Sequence, residues 1–212
     1  SGKRYAYSNA SDDFYHQFKG EVNFHLRRSN PNSKLKNNII LSGTVADNIS
    51  DIIIDDEPDL QTFINLDYIH QNKTFNPYSL SASAQYNKDF VKTNAEFNYT
   101  WNYKYNKSIG LRLFAGGFLY TSDNYNPIYN YGVSGISGVG DYTYDNLFLG
   151  RFEDPEGTNL WGKQFVPNDG GFTIYAPHFT TSDWIVSLNT SAAIPYLPNI
   201  LNFHVYGNIA AF

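Results

Sequence analysis

A two-residue alternation sustained over long stretches limits the fold of this sequence more than any other feature. Between residues 91 and 105 nearly every second position is apolar or aromatic, and the positions between them are polar. The apolar phase is Val91, Ala95, Phe97, Tyr99, Trp101, Tyr103 and Tyr105, against Lys92, Asn94, Glu96, Asn98, Thr100, Asn102 and Lys104. Because successive side chains of a β-strand point to opposite faces, the pattern predicts a long strand with one apolar and one polar face.

The same period recurs along the whole chain. A three-residue turn, Asn106-Lys107-Ser108, leads into a second alternating stretch at 109–120, and the two stretches predict a β-hairpin. Weaker alternation predicts further strands at 14–26, 35–46, 62–71, 78–87, 142–152, 184–193 and 201–212, with 172–175 as a candidate for a tenth strand. No helix longer than one turn is predicted, so the chain is expected to be all-β.

Composition excludes several functional classes. The net charge is -5 and the only basic doublets are Lys3-Arg4 and Arg27-Arg28. A phosphate-binding surface needs clustered Lys and Arg, so nucleic acid is not an expected partner. With no Cys, the chain cannot form disulfides or use a thiol nucleophile. The chain has no run of about 18 apolar residues, so a transmembrane helix is not predicted. The chain has no Met, and we expect it to be a piece of a longer protein.

Strand length favours a membrane barrel over a soluble sheet. Soluble strands average about 5–6 residues and a bilayer requires about 9–11 tilted ones, a length that several predicted strands match or exceed. Aromatic residues lie near strand ends, and short turns alternate with long connections at 47–60, 121–140 and 153–182. We therefore predict a single domain over residues 1–212, an antiparallel transmembrane β-barrel with long surface loops in the outer membrane of a Gram-negative bacterium, in contact with lipid and lipopolysaccharide.

The barrel hypothesis assigns a direction to individual side chains. Phe97, Tyr99, Trp101 and Tyr103 are candidates for the lipid-facing surface. Arg112 in mid-strand would be expensive in lipid, so we expect it in the lumen, paired with a carboxylate such as Glu96. That placement requires either a lumenal face carrying Phe114, Phe118 and Tyr120 or a bulge after Arg112, and the sequence leaves both open.

Strand number and the last strand indicate an incomplete barrel. About nine or ten strands are predicted, whereas bacterial single-chain barrels have even numbers. Phe212 is in phase with His204, Tyr206, Asn208 and Ala210, which is the polar phase of its strand. The expectation is that further strands follow in the longer protein.

The C-terminal third resembles a known family. It carries DNLFLGRF at 145–152, WGKQF at 161–165, DGGF at 169–172, SDWIVSLN at 182–189 and IPYLP at 194–198. In this order the motifs resemble the barrel fused to bacterial outer-membrane proteins whose N-terminal part is a gluzincin-type zinc aminopeptidase, and more distantly the surface-antigen and assembly-factor barrels. The resemblance implies a long surface loop that folds into the lumen through an Arg-Gly pair; here the order is Gly150-Arg151, with Arg151 as the loop-docking candidate.

The resemblance also implies a non-catalytic role for this chain, as a membrane anchor and docking domain of a larger peptidase-like protein that contacts other outer-membrane proteins. A gluzincin site needs His-Glu-x-x-His, and none of the five His has another His within four residues. Any peptidase activity would belong to another part of the polypeptide, and neither a cofactor nor a metal site is expected in this chain. The carboxylates of 47–60 lack EF-hand spacing, so a solvated acidic loop is the preferred interpretation over a site for divalent cations.

Two other functions are compatible with the pattern. The first is a soluble β-sandwich or jelly-roll module that binds carbohydrate or protein through exposed aromatics. The second is an outer-membrane channel or assembly-type barrel in its own right, which would need an open lumen. Solubility without detergent separates the first from the barrel, and conductance separates the second.

Single cysteines test the predicted lipid face directly, because the natural chain has none. Cysteines that replace Phe97 or Tyr99 are expected to resist a charged, water-soluble thiol reagent in membranes and to react after detergent extraction. A cysteine at Lys73, in the short connection predicted at 73–77, is the accessible control. Equal labelling of all three sites in membranes would contradict the lipid-facing assignment.

Overall fold

The computed structural model describes residues 2–6, 14–26, 33–46, 60–105, 107–137, 140–143, 145, 146, 148, 165, 166, 168–172, 174, 176, 178–195 and 203–212. Nine strands form one antiparallel sheet: β1 Gly2–Ala6, β2 Phe14–His25, β3 Leu35–Ala46, β4 Gln61–Asn72, β5 Tyr78–Asn87, β6 Phe90–Lys104, β7 Lys107–Thr121, β12 Trp184–Ala193 and β13 His204–Ala211. Each pairs with its sequence neighbours in the sheet, and β7 pairs directly with β12.

Four two-residue strands lie in the long connection between β7 and β12. β8 Tyr131–Gly132 pairs with β11 Thr180–Thr181, and β9 Ile136–Ser137 pairs with β10 Phe165–Val166. A 3₁₀ helix at Pro127–Tyr129 begins at Asn126, whose side chain accepts a hydrogen bond from the Ile128 backbone N–H. In the part of the chain that the structure describes, no helix has the length and apolar character needed to span a membrane.

The predicted all-β fold with a large antiparallel sheet is confirmed. A closed barrel is not found: within the described residues, β1 and β13 each pair on one side only. The short strand β1, which has little alternation, was not predicted.

The strand predicted at 142–152 is wrong for its described residues, which form turns and irregular structure. The cause is local: the Asp141 carboxylate accepts hydrogen bonds from the backbone N–H groups of Asp145 and Asn146. Those donors are therefore used within a turn and not in a ladder. Residues 172 and 174 of the suggested tenth strand are also outside any strand.

Cross-strand register separates apolar from polar side chains. The row Leu80, Phe97, Leu113, Leu188 and Ile209 runs across β5, β6, β7, β12 and β13, and every member is exposed. We call the face that carries this row the outer face. The next row on the opposite, inner face is polar in all of its members: Lys36, Gln71, Ser79, Asn98, Arg112, Asn189 and Asn208.

A register shift between Val91 and Lys92 resolves the alternatives left open for β7. Lys92 is opposite Phe118, but Val91 is opposite Tyr120, so Leu119 is the extra residue of a bulge. Arg112, Phe114 and Phe118 consequently share the inner face, whereas Tyr120 is exposed.

The buried apolar residues lie on the inner face. One cluster contains Ala46, Phe63, Phe90 and Tyr129. The other contains Phe114, Tyr131, Val133 and Ile185. Both combine sheet residues with residues of the long connection, so the core forms between the sheet and that connection.

Adjacent residues of β4 provide a test of this core position. Phe63 is fully buried and contacts the rings of Phe90, Tyr129 and Tyr142, whereas Ile64 is 47% exposed on the outer face. Phe63→Ala is expected to lower the free energy of unfolding by about 3–5 kcal/mol, since it leaves a cavity. Urea unfolding in detergent micelles measures this, with Ile64→Ala as the control and a smaller loss expected. Equal losses would contradict the assignment of the core to the inner face.

Candidate functional site

The described residues between 122 and 181 form a segment that packs against the inner face, and we call it the docked segment. It contacts the sheet from β2 to β12: Lys19 Nζ of β2 lies 2.5 Å from Asp145 Oδ1, and the Asn189 side chain of β12 donates to the Gly170 carbonyl at 3.0 Å. Its attachments concentrate around two basic residues of the sheet, Arg112 and Lys92.

Arg112 connects the sheet to the docked segment. Its guanidinium donates to Glu96 Oε2 through Nε at 2.8 Å and Nη2 at 2.5 Å. Nη2 also donates to the Asp169 carbonyl at 2.5 Å, and Nη1 donates to Asn189 Oδ1 at 2.9 Å. Glu96 is diagonal to Arg112 on the neighbouring strand, a position that long side chains reach easily. The ion pair on the sheet therefore leaves guanidinium N–H groups that bind the segment.

The turn Asp169-Gly170-Gly171 fits closely over Arg112. Gly170 N–H donates to the Gly132 carbonyl at 3.0 Å, and a Cβ on Gly170 would lie 2.8 Å from the Val133 carbonyl oxygen. Gly171 has φ +68°, and a Cβ there would overlap the Arg112 guanidinium. Glycine is thus required at both positions because neighbouring atoms leave no space for a Cβ. At Gly171 the left-handed backbone conformation is a second reason.

Lys92 lies in a cage of aromatic rings. Its Nζ is 5.5 Å from the ring centroid of Phe90, 5.9 Å from Phe118, and 5.1 Å from both Tyr131 and Tyr142. It also donates to the Tyr129 carbonyl at 3.1 Å. Cation–π attraction is strongest when the ammonium is removed from water, as it is here. Tyr129, Tyr131 and Tyr142 belong to the docked segment, so this cage is its second attachment.

Burial sets the protonation of nearby groups in the docked segment. Burial raises the pKa of Tyr142 well above its ordinary value, so the phenol stays protonated and donates to Gln85 Oε1 at 2.6 Å. Burial is also the largest influence on Asp169 and raises the pKa of its carboxyl, against Lys92, the Gly132 N–H and Arg112, which lower it. The carboxylate accepts the Gly132 N–H at 3.1 Å.

A cavity of about 430 Å³ separates part of the docked segment from the sheet. Its wall includes residues of β2, β3, β4, β5, β6 and β7, and its roof includes Tyr131, Tyr142, Asp145, Asn168 and Asp169. Six strands in a flat sheet would spread over about 24 Å. Since one cavity touches all six, the sheet curves around it.

The outer face is uncovered in the described residues. Its exposed large apolar side chains extend from β2 to β13 and include Phe18, Val22, Phe24, Leu41, Ile64, Leu66, Leu80, Phe97, Leu113, Val186, Leu188, Val205 and Ile209. A contiguous apolar surface of this kind is typical of a site that contacts a protein partner or a membrane.

The structure brings Arg112 and Glu96 together, and it places Phe97 and Trp101 on the outer face with 40% and 50% of their surfaces exposed. Tyr99 and Tyr103 are on the same face and partly exposed; Tyr103 Oη donates to the Ala193 carbonyl at 2.6 Å.

Other predicted positions cannot be placed. Arg151 lies outside the described residues, as do 47–59 of the acidic connection. Sequence reasoning missed Lys92, Asp169 and Asn189 as docking residues. The Asp-Gly-Gly triplet at 169–171 was the sequence feature that could have indicated a close contact between this turn and the sheet.

The site shows no metal-binding arrangement in the described part of the chain, where no group of three or more His, Asp or Glu side chains could hold an ion. Comparisons with protein-family models, with curated proteins and with solved structures give no match.

Substitution of Gly171 tests the attachment at Arg112. Gly171→Ala is expected to destabilise the protein by about 1–3 kcal/mol, because alanine is strained at φ +68° and its Cβ meets the guanidinium. Gly43→Ala, where a Cβ has no atom within 4 Å, is the matched control in β3. Limited proteolysis should show faster cleavage of the docked segment in Gly171→Ala alone. Unchanged protection would contradict the close fit.

The raised pKa of Asp169 predicts a pH dependence. A carboxyl whose pKa is higher in the folded than in the unfolded state contributes stability that is present below the unfolded value, 3.8, and is lost as pH rises through the folded value. The stability of the natural protein relative to Asp169→Asn should therefore fall as the pH rises above 3.8. Asparagine is the matched replacement because its amide keeps an acceptor for the Gly132 N–H. Urea midpoints of both proteins measure the difference. A difference that is constant or rises with pH would contradict the role of burial.

Proposed function

We propose that this chain is the membrane-spanning β-domain of a Gram-negative outer-membrane protein, an antiparallel β-barrel whose outer face contacts lipid and lipopolysaccharide. The observation that supports it most strongly is the polarity of the sheet. Large apolar side chains cover the outer face, whereas ionic and amide groups lie on the inner face. In a soluble sheet with one buried face, the apolar side chains would pack on the core and the ionic and amide groups would be exposed to water.

Strand dimensions support the same proposal. β2, β3 and β4 have 12 residues each, and β6 and β7 have 15. A tilted strand of about 9–11 residues crosses the hydrocarbon layer, so these strands cross it and extend beyond it. Trp101 lies near one end of β6 and Trp184 begins β12, positions suited to the aromatic girdle at a lipid interface.

A soluble β-sandwich would need a second apolar layer on the outer face. In the described residues the four remaining strands have two residues each and belong to the docked segment on the inner face. Lipid is therefore the better partner for the exposed apolar rows.

The domain serves as an anchor and a docking platform without chemistry of its own. The docked segment covers polar groups of the inner face, which favours a filled lumen over a diffusion channel. The resemblance of 142–212 to barrels fused to gluzincin-type aminopeptidases leads us to propose a larger peptidase-like parent protein, with other outer-membrane proteins as neighbours in an assembly.

Fractionation of the native protein tests both parts of this proposal. The polypeptide is expected in the outer-membrane pellet, released by detergent but not by high salt or alkaline carbonate, with an intact mass well above 24.1 kDa. Peptide mapping should then locate a His-Glu-x-x-His motif outside these residues. A soluble 24.1 kDa species would contradict the membrane domain. A membrane-bound protein without that motif would contradict the peptidase parent alone.

A further inference from the structure

The 430 Å³ cavity exists because β5 presents small side chains to the inner face. Ser81 and Ser83 lie between longer residues of both neighbours: Ser83 pairs with Asp67 and Asn94, and Ser81 pairs with Glu96. The docked segment spans this depression on Tyr131 and Tyr142 and does not fill it. We call the space the serine chamber.

The chamber has polar groups that other residues do not occupy. The side chains of Ser81, Ser83 and Asp67 make no hydrogen bond to another described residue, although all three residues line the space. In contrast, the charged groups at its margins are paired: Lys19 with Asp145, and Glu96 with Arg112. The chamber is thus lined by side-chain donors and acceptors that are not used in hydrogen bonds between described residues. Among them, Asp67 has Lys19 as an electrostatic neighbour but no hydrogen bond to a described residue.

The charge of the lining selects the class of ligand. Four carboxylates (Asp67, Glu96, Asp145 and Asp169) and two lysines (Lys19 and Lys92) line the chamber, so an anion is disfavoured. A metal ion would need several oxygen ligands from one cluster, and the described residues contain no such group of carboxylates and histidines.

Hydroxyl and amide groups dominate the rest of the lining: Ser42, Asn65, Ser81, Ser83, Gln85, Asn94 and Asn168. These groups both donate and accept hydrogen bonds, which suits a ligand that does the same. Ile40, Ile69 and the tyrosine rings supply apolar contacts beside them. Small-molecule sites of about 300–1,000 Å³ combine such surfaces, and the chamber falls within that range.

We propose that the serine chamber binds a small, uncharged, hydroxyl-rich molecule of the mono- or disaccharide class. Asp67 accepts hydrogen bonds from adjacent hydroxyls of the ligand, the serines and amides complete its polar contacts, and the docked segment covers it. This proposal does not depend on the membrane assignment, because the chamber is formed by the inner face and the docked segment alone.

Isothermal titration calorimetry tests the proposal on the whole native protein, in a detergent without a sugar head group. The probes are glucose, galactose, N-acetylglucosamine and maltose, with glucuronate as the anionic and choline as the cationic comparison. At least one neutral sugar is expected to bind, and glucuronate is expected to bind more weakly than glucose. No heat from any neutral sugar, or heat from choline alone, would overturn the proposal.

Two variants locate the binding. Asp67→Asn keeps the shape but removes the charged acceptor, and it should weaken sugar binding about tenfold. Ser83→Leu fills the chamber and should abolish it. Asp123→Asn, exposed and outside the chamber, and Ala84→Leu, which adds comparable bulk to the outer face of β5 beside Leu66, are the matched controls. Sugar binding that survives Ser83→Leu would overturn the proposal. Equal weakening of sugar binding by Asp67→Asn and Asp123→Asn would also overturn it. If Ser83→Leu fails to fold, the comparison of these two Asp variants decides.

Discussion

Arg112 is held on the polar face of the sheet by an ion pair with Glu96, and the placement of the docked segment depends on that interaction. A guanidinium on a β-strand must find acceptors or water, and one carboxylate satisfies only part of its five N–H groups. The remaining donors bind the Asp169 carbonyl and the Asn189 side chain. The segment therefore closes over a charge that the strand alternation has already directed inward.

Lys92 repeats this arrangement at a second point. Its ammonium lies among rings from both β-strands and the docked segment, where it joins the two aromatic clusters. The core of this protein is thus a layer between a polar sheet face and an aromatic segment, with two basic residues inside it. The apolar surface that ordinarily forms a core is on the outside, and this inversion is what the proposed membrane function explains.

The two-residue alternation of the sequence was sufficient to predict most of the strands of the sheet. Alternation located the long strands because a half-apolar strand must keep period two over its whole length, and it identified Arg112 and Glu96 as neighbours because they are close in one hairpin. It failed at 142–152, where apolar residues alternate but Asp141 takes the backbone donors into a turn.

The docking contacts were less accessible to sequence reasoning. Tyr131 and Tyr142 reach Lys92 from 39 and 50 residues away, and no local pattern records such a contact. Likewise, the alternate serines of β5 predicted only a polar face. The cavity beside their small side chains depends on the position of the docked segment, which the local sequence does not indicate. Curvature and long-range packing decide these features, and both arise only when the strands are assembled.

Lipid contact of the outer face is the central claim, and fluorescence quenching of Trp101 in vesicles tests it most directly. The side chain is half exposed on β6, and a variant in which Trp161 and Trp184 are replaced by Phe isolates its emission. The account predicts strong quenching by lipids brominated in their acyl chains and weak quenching by aqueous iodide. Strong iodide quenching without an effect of brominated lipid would place the apolar face in water and contradict the account.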